Sequence, residues 1–290
     1  MTLRRHFLKQ AGAIAALSLV EPKQLFATQT RRFKIGACDW SIGKRSDPSS
    51  FQLAKQIGVQ GLMIDMGSKE NNLHLRNPEV QKDFLSESKN SGVAISSLAI
   101  AELNTYPLKS DPQTEEWVFD SIVAAGKLQV PVLLLAFFHN NDLRGDEKGI
   151  NEVITRLKRL VKEAEKQKVI LGIESYLDAA GHLRIMDAIG SDNLKIYLDF
   201  RNTADAGYDM LKEVKQMGKN NICELHMKEN GSLLGKGDLP WQKIRDTLYE
   251  MDYYGDGWMQ IEGAIPEKGD VLLSYQQNLS FLQELFADKI

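Results

Sequence analysis

The chain is short of the residues on which several specialised chemistries depend. Its 290 residues include only two cysteines, Cys38 and Cys223, each inside an apolar run. That leaves no disulfide framework and no Cys-x-x-Cys thiolate metal site, and both are expected to be small buried residues. No charge-free stretch reaches the roughly 20 apolar residues of a membrane helix. Lysine and arginine number 36 against 39 acidic residues, a formal charge of −3, with no basic run interleaved with aromatics, which excludes an ordinary nucleic-acid partner. The first strand-like run is not followed by a glycine-rich turn, which disfavours an open dinucleotide-binding sheet.

What is present begins with a leader. Arg4-Arg5-His6-Phe7-Leu8-Lys9 precedes the apolar stretch from Ala11 to Val20, and a cut is expected near Ala27. The double arginine followed by Phe-Leu-Lys resembles the twin-arginine export signal, so residues 1–27 are read as a signal peptide and the mature protein as exported, to the periplasm. An amphipathic N-terminal helix is the blander alternative. Removing the segment takes away four basic residues and one acidic one, so the charge moves from −3 to −6.

From there the chain alternates in a regular rhythm. Short apolar runs at 33–38, 61–65, 93–101 and 132–138 read as strands, and amphipathic stretches between them read as helices. Asn77-Pro78 and Asp111-Pro112 carry the signature of helix starts, with a capping side chain and a proline whose missing N–H costs nothing in the first turn. Val132 to Phe138 is continuously apolar, as a parallel strand covered on both faces must be. The rhythm continues with a helix over 149–168, strands ending at Glu174, Asp199, His226 and Glu262, and helices over 182–189, 204–217, 240–252 and 271–286. Eight strands and eight helices in roughly 260 residues is the arithmetic of a closed (β/α)₈ barrel, so 32–290 is expected to form a single TIM barrel domain.

Four successive strands of that barrel end in Glu174, Asp199, His226 and Glu262. Strand C-termini share one mouth in a parallel barrel, so these residues should converge although they are far apart in the chain. Three carboxylates and one imidazole suit a single divalent ion, Mn²⁺ foremost, with Mg²⁺, Co²⁺ or Zn²⁺ as alternatives, and do not suit copper or iron–sulfur. Trp40, Phe137, Phe138 and Tyr176, near strand ends, are candidates for an apolar wall. His139, after the fourth strand, faces the same mouth and is a candidate substrate contact. Gly235-Lys-Gly237 is read as a plain turn in preference to an anion cradle.

Taken in order, the segments Ile-Glu174, His182 to Ser191, Tyr-Leu-Asp199-Phe-Arg-Asn202, Cys-Glu-Leu-His226-Met-Lys228, Leu-Gly-Lys-Gly237-Asp-Leu-Pro-Trp241 and Ile-Glu262-Gly resemble the sugar phosphate isomerase/epimerase family with a xylose-isomerase-like TIM barrel. The resemblance implies a divalent-metal-dependent isomerase or epimerase. Glu174, Asp199, His226 and Glu262 would hold the ion, and Glu174 and Glu262 would move a proton next to a carbonyl through an enediolate. It also implies Asn202 and Lys228 as substrate-binding residues and a small sugar or sugar derivative as the partner; Trp40 and His139 join them as substrate contacts on their place at strand ends alone. The chain departs from the better-characterised epimerases in two places. It has Leu177-Asp-Ala-Ala-Gly181 where a further substrate glutamate is usual, and no arginine between Lys228 and Lys236. A lyase acting on oxidised (keto) glycosides and a non-catalytic exported sugar-binding barrel stay open, as does homo-oligomer formation. The DNA-repair endonucleases of this barrel type need more histidines than the five here, one of which, His6, lies in the leader.

Overall fold

The fourth strand shows how the sequence builds its two cores. In the computed structural model, which describes residues 33–254 and 257–287, Leu133, Leu135 and Phe137 pack outward with the helices, while Val132, Leu134 and Ala136 pack inward with Cys38, Met63, Ala99 and Tyr197. Successive side chains on a strand point to opposite faces, so an unbroken apolar run feeds both layers at once.

The strands are β1 (Lys34–Cys38), β2 (Gly61–Asp65), β3 (Ala94–Ile100), β4 (Val132–Phe137), β5 (Ile170–Ser175), β6 (Leu194–Asp199), β7 (Ile222–Lys228) and β8 (Trp258–Glu262). They pair in parallel in sequence order, and β8 closes on β1 with Ile35 opposite Met259. The signal segment read at 1–27 lies outside the described residues.

The helices are α1 (Ser50–Ile57), α2 (Pro78–Ser91), α3 (Gln113–Leu128), α4 (Glu147–Gln167), α5 (Ala179–Ile189), α6 (Phe200–Asp205), α7 (Met210–Met217), α8 (Trp241–Glu250) and α9 (Val271–Leu285). Their ends follow the expected chemistry. The Asn77 side chain accepts from the Glu79 N–H, and Asp111 accepts from the Gln113 N–H. Gly58 and Gly92 end α1 and α2 with φ of 95° and 77°, the left-handed conformation that glycine adopts without a Cβ clash. On α4, Ile150, Val153, Leu157, Leu160, Val161 and Ala164 form one buried stripe at helical spacing.

One expected element divides. The helix read over 204–217 is two: α6 begins directly at Phe200, Gly207 turns the chain with φ of 88°, and Asp209 caps α7 through the Leu211 and Lys212 N–H groups. The reason is local, because Asp199 caps α6 with its own carboxylate and so starts the helix without a loop.

The lumen below the mouth is partly polar. Gln260 donates to Ser96 Oγ at 2.7 Å and reaches Ser97 Oγ at 3.3 Å, and Tyr197 OH donates to Glu224 Oε2 at 3.0 Å. Glycine makes room for these side chains. A Cβ on Gly36 would lie 2.2 Å from Gln260 Oε1, and one on Gly61 would lie 2.6 Å from the Trp258 ring.

Candidate active site

The mouth of the barrel gathers the side chains at the ends of β5 to β8. One atom each from Glu174, Asp199, His226 and Glu262 lies within 4.8 Å of all the others. Glu174 ends its strand with Oε1 accepting from Asn202 Nδ2 at 3.1 Å and 3.0 Å from His226 Nδ1. Asp199 has two jobs. Oδ1 accepts the Asn202 N–H at 3.0 Å, capping α6, and Oδ2 turns toward the mouth. The cap sets Asn202 in the first helical turn, where its amide bridges Glu174 and Lys228 Nζ, the latter at 3.4 Å. His226 and Lys228 are two residues apart on β7 and so share a face. Glu262 Oε1 accepts from Trp40 Nε1 at 2.9 Å, which ties the end of β8 to the loop after β1.

The electrostatics follow from packing three carboxylates against two cations out of solvent. Burial raises the Asp199 carboxyl to about 7; Glu174 and Glu262 add to the rise, and Lys228 and His226 oppose it. Burial also works against ionisation of Glu262, but the neighbouring charges of His226 and Lys228 override it and hold this carboxyl at about 2. Burial favours neutral forms of His226 and Lys228, and the surrounding carboxylates outweigh it, pushing both above their ordinary values. Lys228 Nζ lies 3.0 Å from Glu262 Oε2 and 3.7 Å from Asp199 Oδ2.

A divalent ion fits this donor set. Asp199 Oδ2 and Glu262 Oε2 are sealed from solvent and share the one ammonium of Lys228, and carboxylates packed this closely out of water favour a further cation between them. Oxygen donors with one imidazole match Mn²⁺, Mg²⁺, Co²⁺ or Zn²⁺. The other strand-end acids, Asp39 and Asp65, lie outside this cluster, although Asp39 Oδ1 is also sealed without a partner. Asp39 Oδ2 accepts from the Ser46 and Asp65 N–H groups, and Asp65 accepts from Gly67 and Ala101 N–H and from Arg45 Nε. They are spent on holding loops.

Above the cluster lies a cavity of about 250 Å³ with two unlike sides. Glu174, Asn202, Lys228 and Glu262 make the polar side, and Ala99 from β3, Leu134 and Ala136 from β4 and Phe138 just after it make the apolar one. Trp40 and Tyr176 complete the wall, and Phe138 and Tyr176 meet edge to face at 4.7 Å. His139 lines the rim, with a left-handed φ of 50° that is unusual for a side chain with a Cβ.

One wall candidate does not join the site, and the segment read as a plain turn also stays outside it. Phe137 is fully buried in the outer core, facing the helices, since it is one residue out of phase with Ala136. Gly235 and Gly237 are needed for packing, because a Cβ at Gly235 would lie 2.3 Å from the Phe281 ring and one at Gly237 would lie 2.0 Å from Glu229 Oε2. The sequence reading missed the small side chains of β3 and β4 in the cavity wall, and it missed Glu224 beneath His226. The second had a signal, since Glu224 precedes His226 by two residues on a strand.

A family model describing the xylose isomerase-like TIM barrel matches residues 51–285. The chain belongs to this family. A D-psicose 3-epimerase from Enterocloster bolteae is 31% identical over 133 residues, which is 43% of this chain and 43% of that protein. The chain therefore matches less than half the length of that curated relative. Among solved structures, a D-psicose 3-epimerase from Clostridium cellulolyticum H10 superposes with a TM-score of 0.74 at 16% identity, covering 88% of this chain and 99% of that one. A 3-keto-D-glucoside 4-epimerase from E. coli superposes with a TM-score of 0.70 at 14% identity, covering 87% and 100%. At these identities the two structures establish the shared barrel.

Proposed function

We propose that this protein is a divalent-metal-dependent sugar epimerase or isomerase that moves a proton on the carbon next to a carbonyl. The observation that carries the reading is the convergence of Glu174, Asp199, His226 and Glu262 beneath a cavity of monosaccharide scale. The family membership and the partial match to a D-psicose 3-epimerase support it.

Glu174, Asp199, His226 and Glu262 would hold the ion. When bound, it would polarise the carbonyl oxygen and stabilise the negative charge that proton removal creates. The side chains set the rest. Glu174 and Glu262 supply two carboxylates at the floor of the cavity, one to take the proton and one to return it. Return to the opposite face of the same carbon gives epimerisation, and delivery to the adjacent carbon gives isomerisation. A carboxyl held at about 2 is a weak base, and Lys228 is the nearest cation holding Glu262 there, at 3.0 Å. Drawing the ammonium away toward a substrate oxygen would remove one of the two charges, His226 being the other, that hold Glu262 low. Asn202 would keep Glu174 oriented through its 3.1 Å amide bond. The apolar side of the cavity excludes water, which strengthens each of these interactions.

The test is solvent deuterium incorporation into a panel of keto-sugars and oxidised glycosides, with Mn²⁺ added to chelator-treated protein. Exchange that appears with the metal, disappears with chelator and is absent from Glu262→Gln supports the reading. Tight sugar binding without any exchange would replace it with a binding protein. Export completes the proposal and rests on the Arg4-Arg5 leader alone; a reporter fused to residues 1–27 should be exported, and should stay inside once both arginines are changed to lysine.

A further inference from the structure

The imidazole of His226 is gripped from both sides, and the two sides are unlike. Nδ1 faces the acids, 3.0 Å from Glu174 Oε1 and 3.6 Å from Glu262 Oε2. Nε2 faces down into the barrel and lies 3.4 Å from the sulfur of Cys38. Cys38 is fully buried and sits beside Met63, its register partner on β2, with Sγ 3.9 Å from Met63 Sδ.

The donor and acceptor inventory fixes which way these bonds run. A thioether sulfur can only accept, so the single S–H of Cys38 is directed at Met63. The thiol then presents lone pairs to Nε2, which must be the nitrogen that carries hydrogen. Without an ion Nδ1 also carries a proton, held by Glu174 Oε1 at 3.0 Å; when a cation replaces that proton, the hydrogen on Nε2 stays with the thiol and Nδ1 offers its lone pair. We propose that Cys38, aimed by Met63, is a positioning residue that selects the metal-binding tautomer of His226. The inference rests on the metal-centre reading above. It gives the β1 cysteine a role in ion affinity, without contact to ion or sugar. Partners of this kind usually come as carboxylates or carbonyls; here the group at Nε2 is a sulfur.

The decisive comparison is Cys38→Val against Cys38→Ser in the full chain. Valine overfills the site and has no acceptor, while serine underfills it and keeps one, so the thermal midpoint is read beside the affinity: a packing effect moves both, and a hydrogen-bonding effect moves affinity alone. Mn²⁺ affinity is measured by calorimetry on chelator-treated protein, and the imidazole proton is located by NMR on ¹⁵N-histidine-labelled, Mg²⁺-loaded protein. Cys38→Val should bind Mn²⁺ about tenfold more weakly, Cys38→Ser should stay near wild type, and the loaded wild type should carry its His226 proton on Nε2. Met63→Leu, which frees the S–H to turn toward His226, should give a smaller loss in the same direction, and it decides the matter if Cys38→Val does not fold. Wild-type affinity in both Cys38→Val and Met63→Leu, or a proton on Nδ1 in the loaded protein, overturns the inference and leaves the metal centre standing. A wild-type protein that takes no divalent ion overturns both.

Discussion

Glu224 should make the barrel less stable as the pH rises, and replacing it with glutamine should remove that dependence. The residue is almost fully buried in the lumen, one strand repeat below His226, with Tyr197 OH on Oε2 and no aligned partner on Oε1. Burial raises its carboxyl to about 8 from an ordinary 4.5. Below 4.5 both folded and unfolded chains carry the proton, and the residue does not influence the equilibrium. Between 4.5 and 8 only the folded chain keeps it, so stability falls with each unit of pH. At about 1.4 kcal/mol per unit, the three units from pH 5 to pH 8 amount to about 4 kcal/mol. Glutamine is nearly isosteric and cannot ionise. Urea unfolding of chelator-treated wild type and Glu224→Gln at pH 5, 6, 7 and 8 should give curves that separate steadily, the variant ahead by about 4 kcal/mol more at pH 8 than at pH 5. Parallel curves would mean that Glu224 ionises inside the barrel at its ordinary pKa, and the account of a neutral acid in the lumen would be wrong.

Other changes read different parts of the structure. Glu262→Gln should abolish solvent deuterium exchange into substrate while leaving the thermal midpoint within a few degrees of wild type; full exchange would exclude a two-glutamate proton transfer. His182, buried with Ser175 Oγ at 2.9 Å and the Asp178 carbonyl at 3.0 Å, has its pKa lowered by burial to about 4. The unfolded chain therefore takes up this proton first as the pH falls, and stability should drop by about 3 kcal/mol between pH 6.5 and 4, a slope that His182→Asn should flatten in urea titrations. Gly61→Ala would drive a methyl to 2.6 Å from the Trp258 ring and 2.9 Å from Ser96 Cβ. Neither neighbour is the end of a flexible chain, so a loss of about 1–3 kcal/mol in urea unfolding is expected.

The barrel was legible because its signals are local. A covered parallel strand needs an unbroken apolar run, as at Val132 to Phe137, and a helix start needs a capping oxygen, as at Asn77. The misread segment, 204–217, fails for a local reason of another kind. Asp199 reads as a strand end and a metal ligand, and nothing in the sequence says that the same carboxylate also starts a helix at once. The site was legible only in outline. Four strand-end residues converge because the topology forces them to, but Asp39 and Asp65 also end strands and are set apart by the backbone N–H groups, and for Asp65 the Arg45 guanidinium, that surround them. Cys38 meets His226 across 188 residues of chain, a contact that no short-range pattern announces.

Strand β7 explains how one short segment supports chemistry at the mouth and stability below it. Its lumen face carries Glu224, His226 and Lys228 at alternate positions, while Leu225 and Met227 point outward into the helix-facing core. These three polar side chains stand at increasing distance from the closed end of the barrel, and Lys228 alone has appreciable exposure. Desolvation weighs most at depth, so the deepest group is the one kept neutral by its own proton. His226 is held between acids above and sulfur below, and Lys228 stays charged because Glu262 and Asp199 surround it where water still reaches. Moving the strand by one residue would turn all three outward and bury Leu225 and Met227 in the mouth. The outer core formed by those two residues is thus what keeps the register, and with it the order of proton, ligand and cation that the proposed chemistry needs.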